Sequence, residues 1–211
     1  MFLSLVGLKK LLKGAYKGGG LIVGNLEGGL VAMGASSTWG IRVEEEHIPN
    51  KLKAALIELI GDLPEAGEIY NYKPGSVQAE IDLGRFDFQG MWRQARDFAA
   101  DTPFILRSKW EEYLLVQIHS TMELRAVSRK LTDMIGAKDL DHELEGMPGR
   151  PAYSQGILYW KNETMVYWAG TSVLDEGLEE KVLPNLAFLD CFEDGVMLRE
   201  GGCLPYGCEE E

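Results

Sequence analysis

Apolar residues recur near every 3.6 positions over residues 3–16: Leu5, Leu8, Leu12 and then Ala15 or Tyr16. Lys9, Lys10, Lys13 and Lys17 lie off that stripe. This is the period of a helix that buries one face. "KGGG" (17–20) ends it, because glycine accepts the left-handed turn that closes helices. "LIVG" and "LVAMG" then read as two strands joined across "NLEGG", with "TWGIRVEEE" as a third. A second helix is predicted over 49–60. Pro49 suits its first position, where the missing N–H costs nothing. Leu52, Ala55, Leu56, Leu59 and Ile60 form its apolar stripe, and Lys51, Lys53 and Glu58 take the other side. Gly61 and Pro64 stop it, and "GEIYNY" and "SVQAEIDL" follow as a hairpin over "KPG".

A third helix is predicted over 88–99, capped by Asp87. Met91, Trp92, Ala95, Phe98 and Ala99 face inward, and Arg93, Gln94, Arg96 and Asp97 outward. "PFILRSKW" and "EYLLVQIHS" are strands around Glu111 and Glu112. Ser120 to Glu123 matches a capping box, so the next stretch has two readings. One is a helix through Ile135. The other, adopted here, is a strand over 121–127 and a helix over 129–135. Residues 136–155 mix Gly, Pro and charge and read as a loop with one helical turn at most. "GILYWK" and "TMVYWAG" form a hairpin across Asn162 and Glu163. "KVLPNLAFLDCFED" is a short proline-started helix and "GVMLREGG" a last strand. A helix followed by two or three antiparallel strands thus recurs at a period of roughly 40 residues. That pattern defines an α+β fold with helices on one face of antiparallel sheets. The chain is long enough for two domains, divided here into 1–84 and 85–211.

Charge changes this picture more than composition does. An apolar fraction of 45% in 211 residues is ordinary for a globular chain. The net charge of −12 argues against a protein that coats nucleic acid over its whole surface. Yet residues 1–26 carry Lys9, Lys10, Lys13 and Lys17 and no acid, while Glu209, Glu210 and Glu211 close the chain. The distribution points to one basic face on an acidic body. No apolar run reaches the ~20 residues of a membrane span. The lysines near the start follow the apolar positions, unlike those of a signal peptide. An odd count of three cysteines suits a reducing, cytoplasmic setting with free thiols.

Candidate chemistry is sparse. Cys191, Cys203 and Cys208 supply three thiolates at most, where a structural zinc site takes four ligands. Asp139, Asp141, His142 and Glu143 could gather a divalent cation but read first as a solvated loop. Ser120 or Cys191 with His119 would need tertiary geometry to act as a nucleophile–base pair. Gly18–Gly20 lack the Lys-Ser/Thr of a phosphate loop and precede a strand. Trp92, Trp110, Trp160 and Trp168 read as core. No cofactor is implied, and the chain reads as a non-enzyme.

One arrangement resembles a known family. Ile48, Pro49, Lys51 and Leu52, then Leu63, Pro64 and Glu65, then Glu68 and Ile69 before a hairpin, resemble a repeating element of DNA sliding clamps, particularly bacterial polymerase β clamps. "YLLVQIHSTMELRAV" (113–127) looks like a clamp's bent double strand. "MVYWAGTSVLDEGLEEKVLPNLAFLD" is similar to a further strand–break–strand–helix unit, whereas residues 136–155 match none. The resemblance implies helices lining a ring of several copies, most simply three. Lys9, Lys10, Lys13, Lys17, Lys51, Lys53, Arg93 and Arg96 would face double-stranded DNA without reading its sequence. It also implies DNA-processing protein partners and no membrane. The competing expectation is an acidic inhibitor or nucleic-acid mimic carried by a mobile element.

Overall fold

The predicted alternation of helix and antiparallel strand is what the chain adopts. The computed structural model describes residues 1–36, 38–81, 88–174, 176–186 and 190–192. The first helix, α1, runs Leu5–Gly18, followed by β1 (Leu21–Leu26), β2 (Gly29–Gly34) and β3 (Trp39–Glu44). Glu27 and Gly28, both at positive φ, make the tight turn between β1 and β2, the conformation whose twist suits a two-residue hairpin. Then come α2 (Asn50–Ile60), β4 (Ile69–Tyr72) and a two-residue β5 (Ala79–Glu80). Pro49 is the residue before α2 rather than its first, and Gly61 closes that helix at φ 86°.

The later elements are α3 (Phe88–Gln94), β6 (Asp97–Arg107), β7 (Glu112–Ile118), β8 (Leu124–Ser128) and α4 (Arg129–Thr132). After these come β9 (Ala152–Ser154), β10 (Ile157–Lys161), β11 (Met165–Gly170), α5 (Glu176–Lys181) and α6 (Leu183–Leu186). Strand-then-helix is therefore the order in this stretch, although the strand begins only at Leu124 and the helix ends at Thr132 rather than 135. The predicted helix over 88–99 is corrected: it stops at Gln94, and Asp97 opens the longest strand. Apolar positions 95, 98 and 99 fit a helical stripe, but hydrogen-bonded partners on both sides win. Phe98 pairs with Ala152 and Ala99 with Ile118. The proline-started helix is α6, with Pro184 in its first turn, and a separate helix that was not expected, α5, precedes it. The proposed cap Asp87 and the predicted strand "GVMLREGG" lie outside the described residues.

The strands form an antiparallel sheet in the order β5-β4-β1-β2-β3-β11-β10-β9-β6-β7-β8. Pairing of β3 with β11 (Ile41 opposite Tyr167) carries the sheet across both halves of the chain. Successive strand residues point to opposite faces, and two apolar layers result. Val23, Ala32, Ile41, Trp160 and Tyr167 pack with Leu8 and Leu12 of α1 and Leu52 and Leu56 of α2. Ile22, Val31, Met33, Tyr159 and Trp168 pack on the other face with Met91 and Trp92 of α3. The helices therefore do not all share one face: α1 and α2 lie on one side and α3 on the other. A third cluster joins Leu115, Leu124 and Ala126 to Leu183 of α6.

The first three residues are buried, and they are held by the end of the predicted 129–135 helix and by the loop that follows it. Leu3 bridges Ile135, Ser4 N–H donates to the Met134 carbonyl and Gly136 N–H to that of Phe2. The Met1 ammonium donates to the Asp139 carbonyl at 2.7 Å and lies 2.5 Å from Glu145 Oε2. Residues 136–155 thus lack regular structure until β9, but they close over the start of the chain.

Candidate nucleic-acid interface

A basic surface is built where α1 and α2 pack side by side on the sheet. Leu5, Leu8 and Leu12 are buried beneath α1, so its remaining side faces solvent and exposes Lys9, Lys10, Lys13 and Lys17. Ser4 Oγ accepts from Gly7 N–H, and Asp139 Oδ2 accepts from Leu5 N–H at 2.9 Å. A carboxylate is favourable there, beside the positive end of the helix dipole. At the other end Gly20 N–H donates to the Ala15 carbonyl, and Lys17 sits in the last turn. In α2, burial of Leu52, Ala55 and Leu56 leaves Lys51 exposed and Lys53 half-buried.

These six lysines have no carboxylate within 4.0 Å among the described residues. Other cations differ. Arg107 and Arg129 pair with Glu112, Arg125 with Glu123 and Lys130 with Glu111. Arg93 and Arg96 are exposed, but they belong to α3 and the turn after it, on the opposite side of the sheet. The structure therefore brings six of the eight predicted basic residues to one side and separates two. Exposed Glu45 and Glu46 precede α2, and Glu58 lies on it, so the lysine surface has an acidic border.

The acidic stretch 139–145 has a structural occupation. Asp139 caps α1, and Glu145 is 5% exposed beneath the N-terminal ammonium. Burial pushes the Glu145 carboxyl up. Hydrogen bonds from the ammonium, the Thr164 hydroxyl and the Asp141 amide outweigh it and hold the pKa below the usual value. Among the described residues no group of three or more His, Cys, Asp or Glu is placed to hold a metal ion.

The residues weighed as nucleophile and base are not hydrogen-bonded to one another among the described residues. The Ser120 hydroxyl donates to the Asp97 carboxylate. His119 instead stacks on Phe98, ring centroids 4.3 Å apart, with Phe192 edge-on to both. Burial and neighbouring Asp190 push the Cys191 thiol up, away from the reactive thiolate. Its amide donates to Oε1 of buried Gln117. Cys203 and Cys208 lie outside the described residues. Sequence reasoning missed Asp97 here because it placed that residue on the outside of a helix.

The tryptophans divide. Trp160 and Trp168 are buried and Trp92 is half-buried. Trp110 corrects the expectation of core: it is 81% exposed at the turn between β6 and β7, with Lys109 Nζ 4.7 Å from its ring centroid. No helix among the described residues is long and apolar enough to cross a membrane. No protein-family model matches the chain, and no curated protein matches it at a significant level.

Proposed function

We propose that this is a non-enzymatic, DNA-tethering protein of the sliding-clamp type, whose α1–α2 surface rests on the phosphates of double-stranded DNA. One observation carries the reading: six lysines on two packed helices have no carboxylate partner among the described residues of a chain of net charge −12. Unpaired lysines on rigid helices suit phosphate binding, which positions a protein without reading bases. An acidic remainder limits stray binding. Tethering would follow from closure of several copies around the duplex, and DNA-processing proteins would be the partners.

The test is retention on closed circular against linear DNA, with solution mass from light scattering. Wild type should be an oligomer that stays on circles and runs off linear ends. Replacing Lys9, Lys10, Lys13, Lys17, Lys51 and Lys53 with glutamine in steps should weaken retention regardless of sequence. Each lysine that neutralises a phosphate should, on replacement, reduce the salt slope by about one unit. Arg93→Gln and Arg96→Gln should change little, because α3 lies across the sheet. A monomer with equal, negligible retention on both DNAs would sink the proposal. Loss of a protein partner on substitution of Glu44–Glu46, with the lysines immaterial, would instead favour the acidic mimic.

A further inference from the structure

The hairpin of β6 and β7 ends in a fastened turn. Arg107 stands opposite Glu112 in the ladder and pairs with it at 2.8 Å. Ser108 N–H donates to the Glu111 carbonyl at 2.8 Å. Ser108 Oγ accepts from the Trp110 and Glu111 amides at 3.2 and 2.9 Å. A serine hydroxyl bonded to amides two and three residues on fixes a turn. At its tip Trp110 is 81% exposed, although an indole is among the side chains with most to gain from burial. A fixed turn presents that ring with little conformational freedom to lose on binding.

One cation accompanies the ring. Lys109 Nζ lies 4.7 Å from its centroid, over one face, and the exposure leaves the other face bare. Behind the turn the charges are paired. Arg107 and Arg129 share Glu112, Arg129 also meets Asp133, and Lys130 meets Glu111. Lys109 has no carboxylate within 4.0 Å among the described residues. The tip thus joins an open aromatic face to an uncompensated positive charge.

That combination discriminates among partners. A tryptophan that anchors a protein partner sits in a patch whose surroundings exclude water. Here Arg107, Ser108 and Lys109 beside it are exposed and polar. A bilayer surface takes up the broad apolar face of a helix, not a single ring. A neutral sugar would leave the lysine without a counter-charge. A nucleotide uses both groups, since its base offers a flat face to the indole and its phosphate a charge to the ammonium.

We infer that the β6–β7 turn binds single-stranded nucleic acid, with one unpaired base stacked on the open face of Trp110 and the adjoining phosphate at Lys109. Inside a duplex both faces of each base are covered by its neighbours, so the turn takes a base only from a single strand. The site is separate from the α1–α2 lysines and independent of the duplex-binding reading.

The test is the tryptophan emission of the full chain, titrated with a short oligothymidylate at low salt. It is run on wild type and on a chain with the six α1–α2 lysines replaced by glutamine, so that failure of the clamp reading does not affect it. Trp39, Trp160 and Trp168 are buried and Trp92 is half-buried, so the emission typical of indole in water belongs to Trp110. The strand should quench it saturably in both chains. An abasic strand of the same length and charge should not, nor should a duplex with closed ends. In the glutamine chain, Trp110→Leu should weaken binding of a labelled strand at least about fivefold, the low end for one base–aromatic stack. Lys109→Gln should raise the midpoint of the quench and reduce the salt slope by about 0.7. Both residues are exposed, so neither substitution threatens the fold. Equal quenching by the abasic strand or the closed duplex, or strand affinity unmoved by Trp110→Leu, would overturn the inference. So would an oligomer that Trp110→Leu dissociates while the strand has no effect, which would assign the ring to a second copy of the chain.

Discussion

Glu145→Gln removes a charge and replaces one carboxylate oxygen, the acceptor shared by the Met1 ammonium and the Asp141 amide, with an NH2 donor. Met1 is 3% exposed and the Glu145 side chain 5%, and the ammonium and carboxylate are 2.5 Å apart. In the variant the ammonium keeps only the Asp139 carbonyl as a described acceptor. Glutamine preserves volume, and its carbonyl oxygen can still accept from the Thr164 hydroxyl, now 2.7 Å from Oε1. What remains is a buried ammonium without a counter-charge, a defect of about 3–5 kcal/mol. Set against a typical total of about 5–15 kcal/mol, that is a large loss. Urea unfolding followed by circular dichroism should show it as a lower midpoint at an unchanged slope. The pH dependence supplies a second check. The folded pKa of Glu145 lies below its ordinary value, so its contribution is complete above about 4.3, the unfolded value. It is then lost as pH falls through the folded value. Wild type and variant should therefore converge as the medium is acidified below about pH 4. A difference under about 1 kcal/mol at neutral pH, or a gap that stays constant on acidification, would refute a buried, charge-compensated pair.

Two further predictions concern the sheet and its cover. Leu56 is fully buried between α2 and the sheet. Leu56→Ala should cost about 2–5 kcal/mol in chemical denaturation, and a cost near zero would mean that α2 does not bury this face. A Cβ at Gly40 would fall 2.1 Å from Trp168 Cζ2 and 2.8 Å from Met33 Cβ. Gly40→Ala should therefore lose at least about 1–3 kcal/mol through overpacking. Trp168→Leu in the same chain should recover part of that loss, and strict additivity of the two would count against their packing together.

The α3 region shows why part of the fold was hidden. Residues 95–99 carry apolar side chains at helical spacing, yet Phe98 and Ala99 are strand residues. Their partners, Ala152 and Ile118, are distant along the chain, and no local pattern announces such ladders. Asp97 then bonds the Phe98 amide and the Ser120 side chain, which favours the extended form. The basic surface was legible only as two separate stripes. Lys9 through Lys17 and Lys51 with Lys53 each stand opposite an apolar stripe, so their exposure follows from periodicity. Their being on one side, and Arg93 and Arg96 being on the other, follows from which sheet face each helix covers.

Local order in several elements came from the sequence alone. The 3.6 period of Leu5, Leu8 and Leu12 set α1. Gly61 closed α2. Glu27–Gly28 turned β1 into β2, because short-range sterics and burial of one stripe suffice for these. The tertiary structure decided what no local signal encodes. It inserted β11 beside β3, and it turned Asp139 and Glu145 from loop charges into a cap and a counter-ion for the chain's first residues. It also left Arg42 buried beside a single described carbonyl. In each case the outcome depends on which distant segment meets the residue and excludes water from it. Electrostatic and hydrogen-bond energies grow once water is gone, so the same side chain is solvated surface in one fold and a fixed structural charge in another.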